Sequence, residues 1–216
     1  MPRIVELVLA GFALVLLSFP SILVAGVVWA TLGRPLLFFQ TRVGQGGEYF
    51  QIYKFRTMSN ARAEDGSLLP DEKREKAVTR LLRRLRLDET PQLLAVLTGN
   101  LSLVGPRPLL PDTIKEFGVC GEIRCRVRPG LTGWAQISGN TRLTDTEKLA
   151  LDLWYVAHRS FALDLRILLE TALVLLGGER RREGRLEEAR PWLRRCGFEI
   201  ANSISRGQVK SSKTME

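Results

Sequence analysis

Histidine is almost missing from this chain: His158 is the single one in 216 residues. A Ser-His-Asp or Cys-His nucleophilic system would have to run through it, and no serine or cysteine motif supports one. Cysteine is scarce as well. Cys120, Cys125 and Cys196 are odd in number and lack CxxC spacing, so they fit neither a disulfide framework nor a zinc site. They read as ordinary thiols in a reducing compartment. The glycines of Gly44-Gln45-Gly46-Gly47 lack the GK[ST] of a P-loop and open no Rossmann unit, which leaves them as a turn. No internal repeat is present. Chemistry in such a chain falls to carboxylates, arginines and a metal ion.

Acidic residues are the minority among the charges, 23 against 32 Lys+Arg, for a formal net charge of +9. That balance suits anionic partners such as phospholipid headgroups, nucleotides, phosphorylated substrates or nucleic acid. A solvated basic face without a ligand explains the charge equally well.

From Leu7 to Leu32 charge is absent altogether, over 26 positions. A helix of that length reaches about 39 Å, more than the roughly 30 Å of a bilayer's hydrocarbon core. The length, and the lack of a small-x-small site, argue against a cleaved signal peptide. Hydropathy alone favours a single span. Ser18-Phe19-Pro20-Ser21 argues otherwise, because Pro20 cannot donate to the Leu16 carbonyl and its ring collides with it. The hydroxyls of Ser18 and Ser21 are the expected substitutes. The break leaves two arms of roughly 18–20 Å, each reaching about mid-bilayer. The chain could then dip into one leaflet and return, with Arg3 and Arg34 on one side. A kinked span is the alternative, and the sparse flanking charge does not decide between them.

Beyond Pro35, the partly alternating aromatic stretch Tyr49–Thr57, behind the glycine turn, reads as a small β-hairpin or extended segment. Residues 59–75 read as a loop. Val78, Leu81, Leu82 and Leu85 make one apolar helical face, with Arg80, Arg83, Arg84 and Arg86 largely off it. Such a basic amphipathic helix suits an anionic membrane surface or the protein core equally well. Thr90-Pro91 reads as an N-cap and first helical position, with Gly99 closing that helix. Thr144–Glu147 fits a capping box that opens a helix through Trp154 and Tyr155. Residues 161–176 form an apolar helix interrupted by Asp164, Arg166 and Glu170, suited to a membrane interface or to a homodimer contact. The chain after Gly178 is rich in Arg and Glu, and beyond about Asn202 its composition predicts disorder.

Three constellations could carry chemistry. Asp88 and Glu89 are adjacent carboxylates between the basic helix and the proline-initiated one, where nearby arginines should keep them ionised. They suit a nucleophile or a magnesium ligand; first-turn acids that serve the helix dipole are the plainer reading. Gly105-Pro106-Arg107-Pro108 holds Arg107 in an extended backbone suited to phosphate recognition, or is simply a rigid turn. Arg126-Val127-Arg128-Pro129-Gly130-Leu131-Thr132-Gly133-Trp134 places two arginines before a Pro-Gly turn and a tryptophan suited to an interface or to base stacking.

Taken in order, these motifs resemble the small monotopic phosphoglycosyl transferases among the bacterial sugar transferases. The resemblance runs from about Glu6 to Leu176. It rests on Phe39-Gln40-Thr41-Arg42-Val43-Gly44, Tyr53-Lys54-Phe55-Arg56-Thr57-Met58, Leu87–Leu93, Ser102–Pro108 and Arg128–Gly133. It implies an α+β, mainly α fold: a re-entrant membrane helix hairpin (1–35), a compact cytoplasmic catalytic domain with interfacial helices (36–178), and a basic C-terminal extension (179–216). It also implies transfer of a sugar 1-phosphate from a UDP-sugar to a polyprenyl phosphate such as undecaprenyl phosphate, releasing UMP. The site would be the cytoplasmic face of the bacterial inner membrane, and the step the first membrane step of glycoconjugate synthesis. By the same resemblance Asp88 is the nucleophile, and Glu89 assists Mg2+ binding or activates the acceptor. Arg107 and Arg128 hold phosphate, with Lys54 and Arg56 as further candidates. Ser18 and Pro20 mark the hairpin break, although Phe19 separates them where the family usually has Ser next to Pro. Membrane lipid is then a partner and nucleic acid is not.

Overall fold

A computed structural model describes residues 1–197. The expectation of disorder beyond about Asn202 therefore lies outside the described residues. The chain is mainly helical with two small two-stranded sheets. It divides into two compact units, residues 1–42 with 49–103, and residues 43–48 with 104 onward.

In the first unit, α1 (Arg3–Leu32) is one helix with Pro20 inside it, not two helices parted by a break. Neither serine takes the expected role at Leu16. The Ser18 hydroxyl donates to the Val15 carbonyl at 2.7 Å, while the Ser21 hydroxyl leaves the helix for Thr90 Oγ1 at 3.0 Å. Both ends of α1 are fastened to this unit. At the start, the Arg3 guanidinium donates to the carbonyls of Val96 and Leu97. Buried Glu6 pairs with Arg3 at 3.1 Å and accepts from the Ser102 hydroxyl. At the far end, Arg56 donates to the carbonyls of Leu32 and Gly33, and Lys76 donates to that of Thr31. These cations satisfy carbonyls that a helix C-terminus leaves open. No residue between Ala10 and Val24 is buried, and Phe12, Val15 and Phe19 are each about two-thirds exposed or more. By length and composition α1 is able to cross a membrane.

The expected hairpin forms from β1 (Leu37–Val43) and β2 (Tyr49–Phe55). A loop pinned by the isolated bridges Met58 to Glu75 and Arg62 to Leu68 leads through α2 (Asp71–Arg74) to α3 (Ala77–Arg84). On α3 the apolar face is only partly used. Leu82 packs with Val24 and Val28 of α1, whereas Val78, Leu81 and the following Leu85 are exposed. Next, α4 (Gln92–Thr98) begins one residue later than expected, with Pro91 at its N-cap and Gly99 closing it in the left-handed region. Thr90 does not cap α4, because its hydroxyl donates backward to Leu87.

The second unit is built around α8 (Asp145–His158) and α9 (Phe161–Gly177). The chain leaving β3 (Ser102–Val104) pairs here with β4 (Gly130–Thr132): Gly105 N–H donates to Thr132, and Gly130 N–H to Pro106. Between them run α5 (Pro111–Glu116) and α6 (Val119–Arg124). α7 (Trp134–Ile137) follows β4. The capping box of α8 forms as expected, Glu147 N–H to Thr144 Oγ1 at 3.2 Å and Thr144 N–H to the Glu147 carboxylate at 2.9 Å.

Three features correct the sequence reading. Residues after Gly178 include α10 (Glu183–Arg195), which buries Leu186, Ala189 and Leu193 and packs on α8. Trp134 is buried against Trp154 under the Arg185 guanidinium, so it is neither at an interface nor open to a base. Cys120 and Cys196 form a disulfide, and only Cys125 is a free, buried thiol. Odd number and spacing in sequence could not show that folding sets the end of α10 beside α6.

Candidate active site

In the first unit the chain turns sharply between α3 and α4. Arg86 takes a left-handed backbone, φ 55°, unusual for a residue with a side chain. A 3-10 turn, Leu87–Glu89, follows and carries both carboxylates. Asp88 is 7% exposed. Among the described residues, no other side chain donates a hydrogen bond to its carboxylate. Burial first, and then the charge of Glu89, push its pKa up, outweighing the opposing pull of Lys54 and Arg83. The basic neighbours seen in the sequence do act in the expected direction, but burial and Glu89 outweigh them, and desolvation was invisible in the sequence.

Glu89 is held from two sides, by Lys54 Nζ of β2 at 2.7 Å and by Arg86 at 3.6 Å. Lys54, Asp88 and Glu89 thus come together. Arg56, two residues along from Lys54, does not join them; its guanidinium serves the last carbonyls of α1. Ser18, exposed, and Pro20, half-buried, lie in the middle of α1, and the Ser18 hydroxyl bonds within that helix to Val15, not to the carboxylates.

Arg107 and Arg128 belong to the second unit, on two turns packed backbone against backbone. A Cβ at Gly105 would strike the Arg128 carbonyl. One at Gly130 would strike the Gly105 amide, and one at Gly133 the Gly105 carbonyl. Glycine is needed here for close approach, whereas the sequence suggested only turns. Beneath them lies a pair that sequence reasoning missed. Arg124 Nε meets Asp152 Oδ2 at 2.7 Å, both side chains almost wholly buried, and the same guanidinium donates to the Arg107 carbonyl. Arg124 and Asp152 lie 28 residues apart in the sequence, so only tertiary structure reveals the pair.

The donor set suits a magnesium ion. Mg2+ takes one or two carboxylates and completes its shell with water and substrate phosphates. Asp88 and Glu89 offer that many, and a cation would offset the burial and the Glu89 charge that together raise Asp88. Among the described residues no group of three or more His, Cys, Asp or Glu gathers, so a closed protein cage for a metal is not formed there.

Comparison with known proteins gives the family. Residues 1–178 match the bacterial sugar transferase family, and the chain belongs to it. It is 46% identical over 177 residues to the sugar transferase EpsL of Bacillus subtilis, covering 82% of this chain and 88% of that one. It is 36% identical over 186 residues to the exopolysaccharide production protein ExoY of Sinorhizobium fredii, covering 78% and 82%. It is also 35% identical over 180 residues to the UDP-glucose:undecaprenyl-phosphate glucose-1-phosphate transferase of Escherichia coli K12. That match takes in 78% of this chain but spans only 39% of the longer relative.

Proposed function

We propose that this protein transfers a sugar 1-phosphate from a UDP-sugar to a polyprenyl phosphate, releasing UMP. The observation that carries the reading is Asp88, a buried carboxylate with raised proton affinity beside Glu89 and Lys54, in a member of the bacterial sugar transferase family. An ionised Asp88 oxygen attacks the sugar-proximal phosphorus. The bond from that phosphorus to the bridging oxygen breaks, and UMP leaves with the electron pair. An oxygen of the polyprenyl phosphate then attacks the phosphosugar-aspartyl phosphorus, which frees the carboxylate. A covalent relay lets a soluble and a lipid-borne substrate use one nucleophile in turn.

Burial removes water that would otherwise solvate the carboxylate and hydrolyse the intermediate. Lys54 orients Glu89 through their ion pair. Glu89 would take up a proton from the acceptor phosphate or share a cation. Bound at Asp88 and Glu89, Mg2+ would supply charge neutralisation for the diphosphate. Arg107 and Arg128 are the candidates to hold phosphate oxygens.

The attachment of both α1 ends to one unit supports a re-entrant helix that enters the cytoplasmic leaflet and returns. A straight 30-residue helix would be about 45 Å long and would carry its ends to opposite membrane faces. The exposed Val78, Leu81 and Leu85 beside the arginines of α3 support a basic helix lying at the anionic surface. Purified protein with Mg2+, undecaprenyl phosphate and a panel of UDP-sugars should release UMP with at least one donor. Asp88→Asn should abolish release while staying folded; near-normal turnover in that variant would remove Asp88 from the role.

A further inference from the structure

Thr90 uses its hydroxyl in two directions. Its Oγ1 accepts from Ser21 Oγ at 3.0 Å and donates to the Leu87 carbonyl at 3.0 Å. Ser21 lies on α1, one residue past Pro20, and Leu87 opens the 3-10 turn that carries Asp88. A hydroxyl has one proton, so the direction is fixed: Ser21 gives its proton to Thr90, and Thr90 gives its own to Leu87.

The backbone closes this turn with longer bonds than that link, Glu89 N–H reaching the Arg86 carbonyl at 3.2 Å. The Thr90 N–H reaches the same Leu87 carbonyl only at 3.4 Å, and Pro91 has no N–H to contribute. Thr90 and Asp88 are each 7% exposed, so water is a poor replacement for a lost hydroxyl. The shortest tie across the segment containing Asp88 is therefore a side chain, and that side chain is held by the apolar helix.

We infer that Ser21 and Thr90 are positioning residues for the transfer reaction. Their relay couples α1 to the 3-10 turn and holds Asp88 in its attacking orientation. The inference rests on the reading of Asp88 as nucleophile. It makes the apolar helix part of the catalytic apparatus as well as an anchor, and a helix shifted in its seat would loosen the turn.

The test uses full-length protein in lipid nanodiscs. Thr90→Val keeps the volume and removes the hydroxyl, Thr90→Ser retains it, and Ser21→Ala removes the first donor. Two readouts are taken: kcat and KM for UMP release, and amide hydrogen exchange across residues 87–90. Thr90→Val and Ser21→Ala should each lower kcat about three- to tenfold with KM for the UDP-sugar unchanged. Both should speed exchange at Glu89 and Thr90, and Thr90→Ser should resemble the parent. The double variant should be no worse than Thr90→Val, because either change breaks the same relay. Additive losses, or unaltered exchange in Thr90→Val, would overturn the relay. If the parent released no UMP from any donor, the transfer reading would fail, while the exchange cycle would still decide whether the relay holds the turn.

Discussion

Lys54 Nζ lies 2.7 Å from Oε1 of Glu89, and this ion pair sets the charge beside the buried Asp88. Glu89 raises the Asp88 pKa and Lys54 lowers it. Attack requires ionised Asp88, so activity falls as pH drops through that pKa. Glu89→Gln should move the acid limb of kcat/KM to lower pH, and Lys54→Met should move it higher. A pH profile over the acidic range measures both, whatever each change does to the maximal rate. Limbs that stay in place would detach Asp88 from the profile.

The raised pKa also bears on stability. A carboxyl that binds its proton more tightly folded than unfolded stabilises the fold below its unfolded pKa, and this is lost as pH rises through the folded one. Ionised Asp88 therefore costs stability at neutral pH. Asp88→Asn should raise Tm at pH 7, and the gain should shrink as pH falls through the raised folded pKa and be gone below the unfolded one, about 3.9. Such a loss of stability is the trade expected if Asp88 is the proposed nucleophile.

The buried Arg124–Asp152 pair supports the Arg107 turn from below. Asp152→Ala strands the Arg124 guanidinium and should cost about 3–5 kcal/mol in urea unfolding. Replacing both with apolar residues of similar volume should cost much less, because no charge is left unpaired. In that double variant KM for the UDP-sugar should rise, since the Arg107 carbonyl has lost its donor.

Leu186 is wholly buried where α10 meets α8. Leu186→Ala should cost about 2–5 kcal/mol, as for other large-to-small core changes. A loss under 1 kcal/mol would show that α10 contributes little. The segment leading into α10 ties down residues 140–147: Glu179 bonds Asn140 and Thr141, and Arg181 bonds Glu147 at 2.9 Å.

What the sequence revealed and what it concealed divide along physical lines. Local rules were legible: the Thr144 capping box, the Gly99 stop and the alternating β-hairpin each depend on residues within a few positions. The motif order also pointed to the family and to Asp88. Relationships over long separations were not legible. Nothing near Glu6 announces Ser102, and Arg56 gives no sign that it closes the end of α1. The burial that raises Asp88 depends on neighbours brought by folding. One signal was present and unused: Leu186, Ala189 and Leu193 already have helical spacing, masked by the surrounding Arg and Glu.

A covalent phosphosugar on Asp88 distinguishes this mechanism from direct transfer, and omission of the acceptor isolates it. Protein incubated with Mg2+ and its UDP-sugar, without polyprenyl phosphate, should release about one UMP per active site and then stop. Mass spectrometry should place the phosphosugar on Asp88, and later addition of polyprenyl phosphate should discharge it. UMP release that requires the lipid from the outset, or an adduct on another residue, would contradict the account.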